Sequence, residues 1–170
     1  MKDNHWKLLV LPLLALAAFL IEAQLMPTSP RAGPKEDQLS TKSASGMKFV
    51  FWIQEPEEMQ VMKEGQWIAV KPEEGATHHV AVRILDSRNG HFIGYARVYG
   101  NFLNLETKEA FQKEFPACFS NDLHHGTDVS LSPGRYRLGI FVKRIEGVRE
   151  GVAFYNDYHQ PVAEFEFRVR

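Results

Sequence analysis

Two histidine doublets hold the residue types best suited to chemistry, His78-His79 in "THHVAVRIL" (77–85) and His124-His125 in "FPACFSNDLHHGTDVSL" (115–131). A neutral imidazole is the commonest protein ligand for transition metals and also titrates near neutrality. Successive side chains on a strand point to opposite faces, so at most one member of each doublet can serve a shared site. His79 and His124 converge if the strand ends that carry them are neighbours in the fold. A plainer alternative stands beside this one. Thr-His-His begins a strand and His-His-Gly precedes another, so both doublets can be exposed turn residues.

Other chemistry-bearing groups are sparser. Met59 and Met62 bracket "EEMQVM", and thioethers are soft donors that suit Cu(I); a loop methionine equally covers apolar surface. Cys118 lies four residues before Asp122 and six before His124, within reach of Cys-His nucleophilic chemistry, but no third orienting group accompanies it. It reads as a small buried side chain. The pairs Glu57-Glu58 and Glu73-Glu74 fall in polar turns and are expected to face water. The chain has no phosphate-cradling glycine loop, no nucleophile elbow and no helical zinc-protease motif. No catalytic residue can be named, so an enzyme is not expected.

The elements that must position these groups read as strands. Tyr136, Leu138, Ile140 and Val142 alternate with Arg135, Arg137 and Lys143, and Phe165, Phe167 and Val169 alternate with Glu164, Glu166 and Arg168. This period of two marks strands with one buried and one wet face. Further runs are "FVFWI" (49–53), "QWIAV" (66–70), "VAVRIL" (80–85), "GYARVYGNFLNL" (94–105) and "TDVSL" (127–131). Turn signals separate them at "RNG" (88–90), "SPG" (132–134) and "EG" (146–147). The segment "LETKEAFQKEF" (105–115) is expected to be a loop with a helical turn, or a strand extension. Seven or so short strands predict an all-β, immunoglobulin-like antiparallel β-sandwich over 47–170.

Upstream, Lys2 and Lys7 precede the uncharged apolar run "LLVLPLLALAAFLI" (8–21). Its 14 residues fall short of the roughly 20 a membrane-spanning helix needs and suit a secretory signal. Residues 1–23 therefore read as a signal peptide or N-terminal anchor helix, the only expected contact with a membrane. Residues 24–46, rich in Pro, Ser, Thr and Lys, read as a flexible linker. The protein is expected to be exported, with the bacterial periplasm as its natural compartment. With 20 basic and 21 acidic residues, the chain lacks the positive excess that nucleic acid requires. A single cysteine excludes an internal disulfide and a cysteine-based zinc framework.

Taken together, these segments resemble one family. "THHVAVRI" is similar to its "THHLEADI" type of strand. "FPACFSNDLHHGTDVSLSPGRYRLGIFV" is similar to its long second motif, with a His-Gly-x-(Asn/Asp)-Val core. "FVFWIQEPEEM" and "YHQPVAEFEFRVR" resemble its first and last strands. The family is that of periplasmic iron- and copper-binding transport proteins that work beside inner-membrane ferrous-iron permeases, and the likeness runs in order over 47–170. It implies an immunoglobulin-like sandwich, a homodimer, a permease partner, and a bound transition metal ion (Cu, Fe or Zn). The family's metal-binding histidines fall on His79 and His124. Its acidic ligand falls on Ala81 and its methionine ligand on Ala117, so a site here needs replacements. His125, Met59 and His159 are the candidates, with Asp122 or a partner chain as further sources. Its later histidine-rich loop falls within 146–160, where His159 alone can substitute. The competing expectation is a metal-free interaction module of the cell envelope that presents Phe154, Tyr155 and Tyr158.

Overall fold

A computed structural model describes residues 39–143 and 162–170. The leader (1–23), His159, Phe154, Tyr155 and Tyr158 lie outside the described residues. Among the described residues the order is β1 Ser40–Ala44, β2 Met47–Gln54, β3 Met59–Lys63, β4 Gln66–Val70, β5 His78–Asp86, β6 Arg97–Asn104, β7 Ala110–Phe115, β8 Ala117–Phe119, β9 Leu123–Val129, β10 Gly134–Lys143 and β11 Ala163–Val169. They form a seven-stranded sheet, β1-β2-β5-β9-β8-β3-β4, and a four-stranded sheet, β11-β10-β6-β7. Among the described residues the strands pair antiparallel throughout. The predicted β-sandwich is the fold observed.

The core follows from the alternation. Met47, Phe49 and Phe51 of β2 and Val80, Val82 and Ile84 of β5 pack with Leu138, Ile140 and Val142 of β10 and Phe165 of β11. Full burial of each such side chain stabilises the fold by roughly 1.5–3 kcal/mol. Tyr136 lies in this core and donates its hydroxyl to the Ser132 carbonyl at 3.0 Å, a tyrosine corner that fixes the entry of β10.

Three segments differ from the expectation. Ser40–Ala44, within the linker read over 24–46, pairs with β2 along its whole length. Ser45 and Gly46 both have positive φ, as do Glu64 and Gly65 between β3 and β4. Two such residues make the tight turn that matches strand twist in a hairpin. The segment 105–115 resolves into a turn and β7, an edge strand on β6. Finally, β9 begins at Leu123 rather than at Thr127. That shift moves the second histidine doublet from a turn into a strand.

Candidate metal centre

The register places the two doublets side by side. His79 on β5 pairs with Asp128 on β9, Ala81 with Gly126, and His124 with Cys118 on β8. Because side chains alternate, His79, Ala81, His124, Gly126, Asp128 and Cys118 share the face of the seven-stranded sheet turned away from the core. That face is not wet here: His79 and Cys118 are 0% exposed and His124 is 2% exposed. The expectation of exposed turn histidines therefore fails for His79, His124 and His125.

Each ring is held by one nitrogen. His79 Nδ1–H donates to Asp128 Oδ1 at 2.8 Å, and Asp128 Oδ2 in turn accepts from the Glu73 backbone N–H at 3.0 Å. His124 Nδ1–H donates to the Asp122 carbonyl at 2.8 Å, and the Trp52 ring packs on the imidazole with centroids 5.1 Å apart. Both acceptors require a proton on Nδ1, so each neutral ring carries its free lone pair on Nε2. The two Nε2 atoms face each other at 3.2 Å. Two lone pairs at that distance repel. A cation held between them, a shared proton or a metal ion, relieves that repulsion.

The surroundings disfavour a proton on His124. Burial, then the neighbouring His79, Arg83 and His125, hold the His124 pKa down to about 4, against the backbone bond to Asp122, so its ring is neutral at physiological pH. Glu57 is also buried and accepts from Gln54 Nε2 at 2.7 Å, while Gln54 Oε1 accepts from Trp52 Nε1–H at 2.9 Å. This corrects the expectation that Glu57 faces water. Cys118 Sγ lies with the two histidines such that one ligand atom from each falls within 4.8 Å of the others. Burial pushes the Cys118 pKa up to about 12, with the Asp128 and Glu57 carboxylates adding to the rise. Gly126 leaves the room the rings occupy: a Cβ there would lie 2.4 Å from His79 Nε2 and 3.2 Å from His124 Cδ2. Two imidazoles with fixed tautomers, a sulfur and flanking carboxylates fit a transition metal ion.

Comparison with solved structures finds the same architecture. FetP of uropathogenic Escherichia coli strain F11, produced in the periplasm of its E. coli host, matches with a TM-score of 0.56 at 16% identity, over 76% of this chain and 92% of FetP. Copper-reconstituted P19 protein of Campylobacter jejuni matches with a TM-score of 0.55 at 16% identity, over 76% and 92%. A copper-bound variant of FetP gives 0.57 at 15%, over 77% and 94%. The chain has the fold of FetP and P19. No family model matches it, and no curated relative matches it in sequence.

Within this FetP-like fold the sequence-derived candidates separate. His79 and His124 meet. His125 does not join them, because it is the next residue on β9 and turns inward. There its Nε2 lies 2.7 Å from the Ile93 carbonyl and its Nδ1 3.3 Å from that of Phe115, with the Phe92 ring 5.1 Å away. Burial lowers its pKa. Met59 is buried on β3 and lines a pocket of about 120 Å³ with Gly126 and Asp128. Asp122 turns its carboxylate outward to Arg83 and contributes only its carbonyl. Ala117 pairs with His125, so the β8 residue facing His79 and His124 is Cys118. A second cleft, of about 230 Å³, reaches His124 between Trp52, Gln54, Arg83 and Asp122, and the Arg83 guanidinium lies 5.6 Å from the Trp52 ring centroid.

As site residues, sequence reasoning passed over Asp128 and Gly126, and it placed Glu57 in a polar turn facing water. The signal for the first two was present in "HHGTDV": with the strand started at 123, residues 124, 126 and 128 fall on one face. Glu57 carried no such signal, since its burial depends on contacts that no local pattern encodes.

Proposed function

We propose that this domain binds a transition metal ion, copper in particular, between His79 and His124, and that it works in the bacterial periplasm as a carrier of that ion. The observation that carries this reading is the pair of Nε2 atoms 3.2 Å apart, each with its Nδ1 already committed. Two nitrogens bound to one metal at about 2.0–2.1 Å stand close to that separation. Asp128 supplies the carboxylate that commonly orients a metal-binding imidazole and raises its basicity. The copper-bound state of P19 and of a FetP variant supports the choice of metal.

In this reading the ion is cargo. It enters and leaves by ligand exchange at the two imidazoles, and an inner-membrane permease is the receiving partner. Met59 borders the centre as a further soft donor, and a homodimer is the working state. Calorimetric titration of the metal-free protein with Cu(II), Zn(II) and Fe(II) tests the reading. Wild-type protein should bind one equivalent, and a His79→Ala/His124→Ala variant should bind none at the same concentration. Equal binding by the two proteins would remove the site.

A second reading, a metal-free envelope interaction module, draws on Met62, Trp67, Ile68 and Val70, which stand exposed on the β3–β4 hairpin. Cross-linking in cells, repeated under metal depletion, separates the two readings. A partner captured equally well with and without metal favours the module.

A further inference from the structure

We infer that Cys118 is the third ligand of the His79–His124 centre, which makes it a thiolate copper site. This rests on the metal-binding reading above and specifies its chemistry. β8 is three residues long, and of these only Cys118 turns to the face of the histidines, paired directly with His124. Its Sγ is fully buried, so it is poorly placed to meet external thiols or oxidants.

The distances suit one ion. With metal–nitrogen bonds of about 2.0–2.1 Å and a metal–sulfur bond of about 2.3 Å, ligand atoms of a three- or four-coordinate site stand roughly 3.3–3.8 Å apart. The two nitrogens are already 3.2 Å apart, and no pair in the trio exceeds 4.8 Å. Closing the remainder requires side-chain movement of about 1 Å. At present Cys118 donates its S–H to the His124 carbonyl at 3.6 Å, a weak bond that an ion readily replaces.

The reaction is a ligand substitution. The S–H bond breaks, a sulfur–copper bond forms, and the proton leaves to solvent; no electron is transferred. Two imidazoles and one thiolate form the donor set that distinguishes copper from ions preferring oxygen. Ala81, fully buried and paired with Gly126 beside the rings, offers no oxygen donor of its own side chain to the pair.

Anaerobic titration of the reduced, metal-free chain with Cu(II), followed by visible absorption, tests the assignment, together with Cu(I) affinity measured against a colorimetric chelator. Wild-type protein should develop the intense thiolate-to-copper(II) charge-transfer band at one equivalent. Cys118→Ser should lose that band, keep only weak ligand-field absorption from the imidazoles, and bind Cu(I) at least about 100-fold less tightly. The wild-type spectrum alone reports the sulfur bond, so a poorly folding variant does not blunt the test. Copper bound by wild type without the charge-transfer band, and by Cys118→Ser with affinity within twofold, overturns the thiolate assignment and leaves the histidine site standing. Wild-type protein that takes up no copper overturns both.

Discussion

Replacing Gly126 by alanine should disable the centre with a single methyl group. The added Cβ would lie 2.4 Å from His79 Nε2 and 2.8 Å from His79 Cε1, whereas ordinary contact begins at 3.4 Å. The ring must therefore retreat by about 1 Å. It has little freedom to do so, being fully buried and tied through Nδ1 to Asp128. Either that bond breaks or Nε2 leaves its station opposite His124. Strand backbone tolerates the change, since Gly126 is not among the positive-φ residues, and alanine otherwise gains roughly 0.5–1 kcal/mol over glycine in a strand interior. Overpacking of this kind destabilises by about 1–3 kcal/mol, so a modest net loss is expected in the metal-free protein. The larger effect falls on the ligand: displacing its orientation should weaken copper binding at least about 10- to 100-fold. Calorimetric titration beside a thermal melt of each metal-free protein measures both. Copper affinity within twofold of wild type, with an unchanged melting midpoint, would refute the geometry.

Three further outcomes are expected. Asp128→Asn removes the charge behind His79 and should reduce metal affinity about 10- to 100-fold while the fold persists, as read by titration and circular dichroism. His125→Leu should leave copper affinity within twofold but lower the melting midpoint, because the buried Ile93 carbonyl loses its imidazole donor; a large affinity loss would place His125 in the site after all. Stability of the metal-free domain should fall on acidification. The folded pKa of His124 is depressed to about 4 from 6.5, so the unfolded chain takes up the proton first. The His124 contribution is complete above pH 6.5 and is lost as pH drops towards 4, by roughly 2 kcal/mol between pH 7 and pH 5. His125 acts in the same direction. Urea midpoints at the two pH values, with His124→Gln for comparison, check the sign; equal wild-type midpoints would contradict it.

Strands whose two faces differ were legible in the sequence. Tyr136, Leu138, Ile140 and Val142 announce β10 because one side of that strand meets the core and the other meets water. β1 announces nothing: its residues STKSA are all polar or small, and it sits on an edge where neither face is deeply buried. β7 was obscured by a helix-like composition, and only its pairing with β6 decides its form.

The site divides in the same way. His79 and His124 stood out by residue type, and the resemblance placed them together. The partners that make them chemically specific did not, because Asp128 lies 49 residues from His79 and Cys118 reads as filler until its strand face is known. His125 was misplaced. Alternation had already set the members of the doublet on opposite faces, but the search for replacements at Ala81 and Ala117 readmitted His125 as a ligand.

That doublet also bears on how the sheet zips up. If β9 paired with β5 one residue out of step, an imidazole would still emerge on the outer side, since either neighbour can fill the slot. Asp128 would then be driven among Val80, Val82 and their companions, and the space vacated at Gly126 would face the wrong layer. Such a misaligned chain could neither clasp copper nor close its interior. Metal bound as proposed would thus discriminate between pairings that an imidazole alone would not tell apart, and would favour the correctly threaded sheet by mass action.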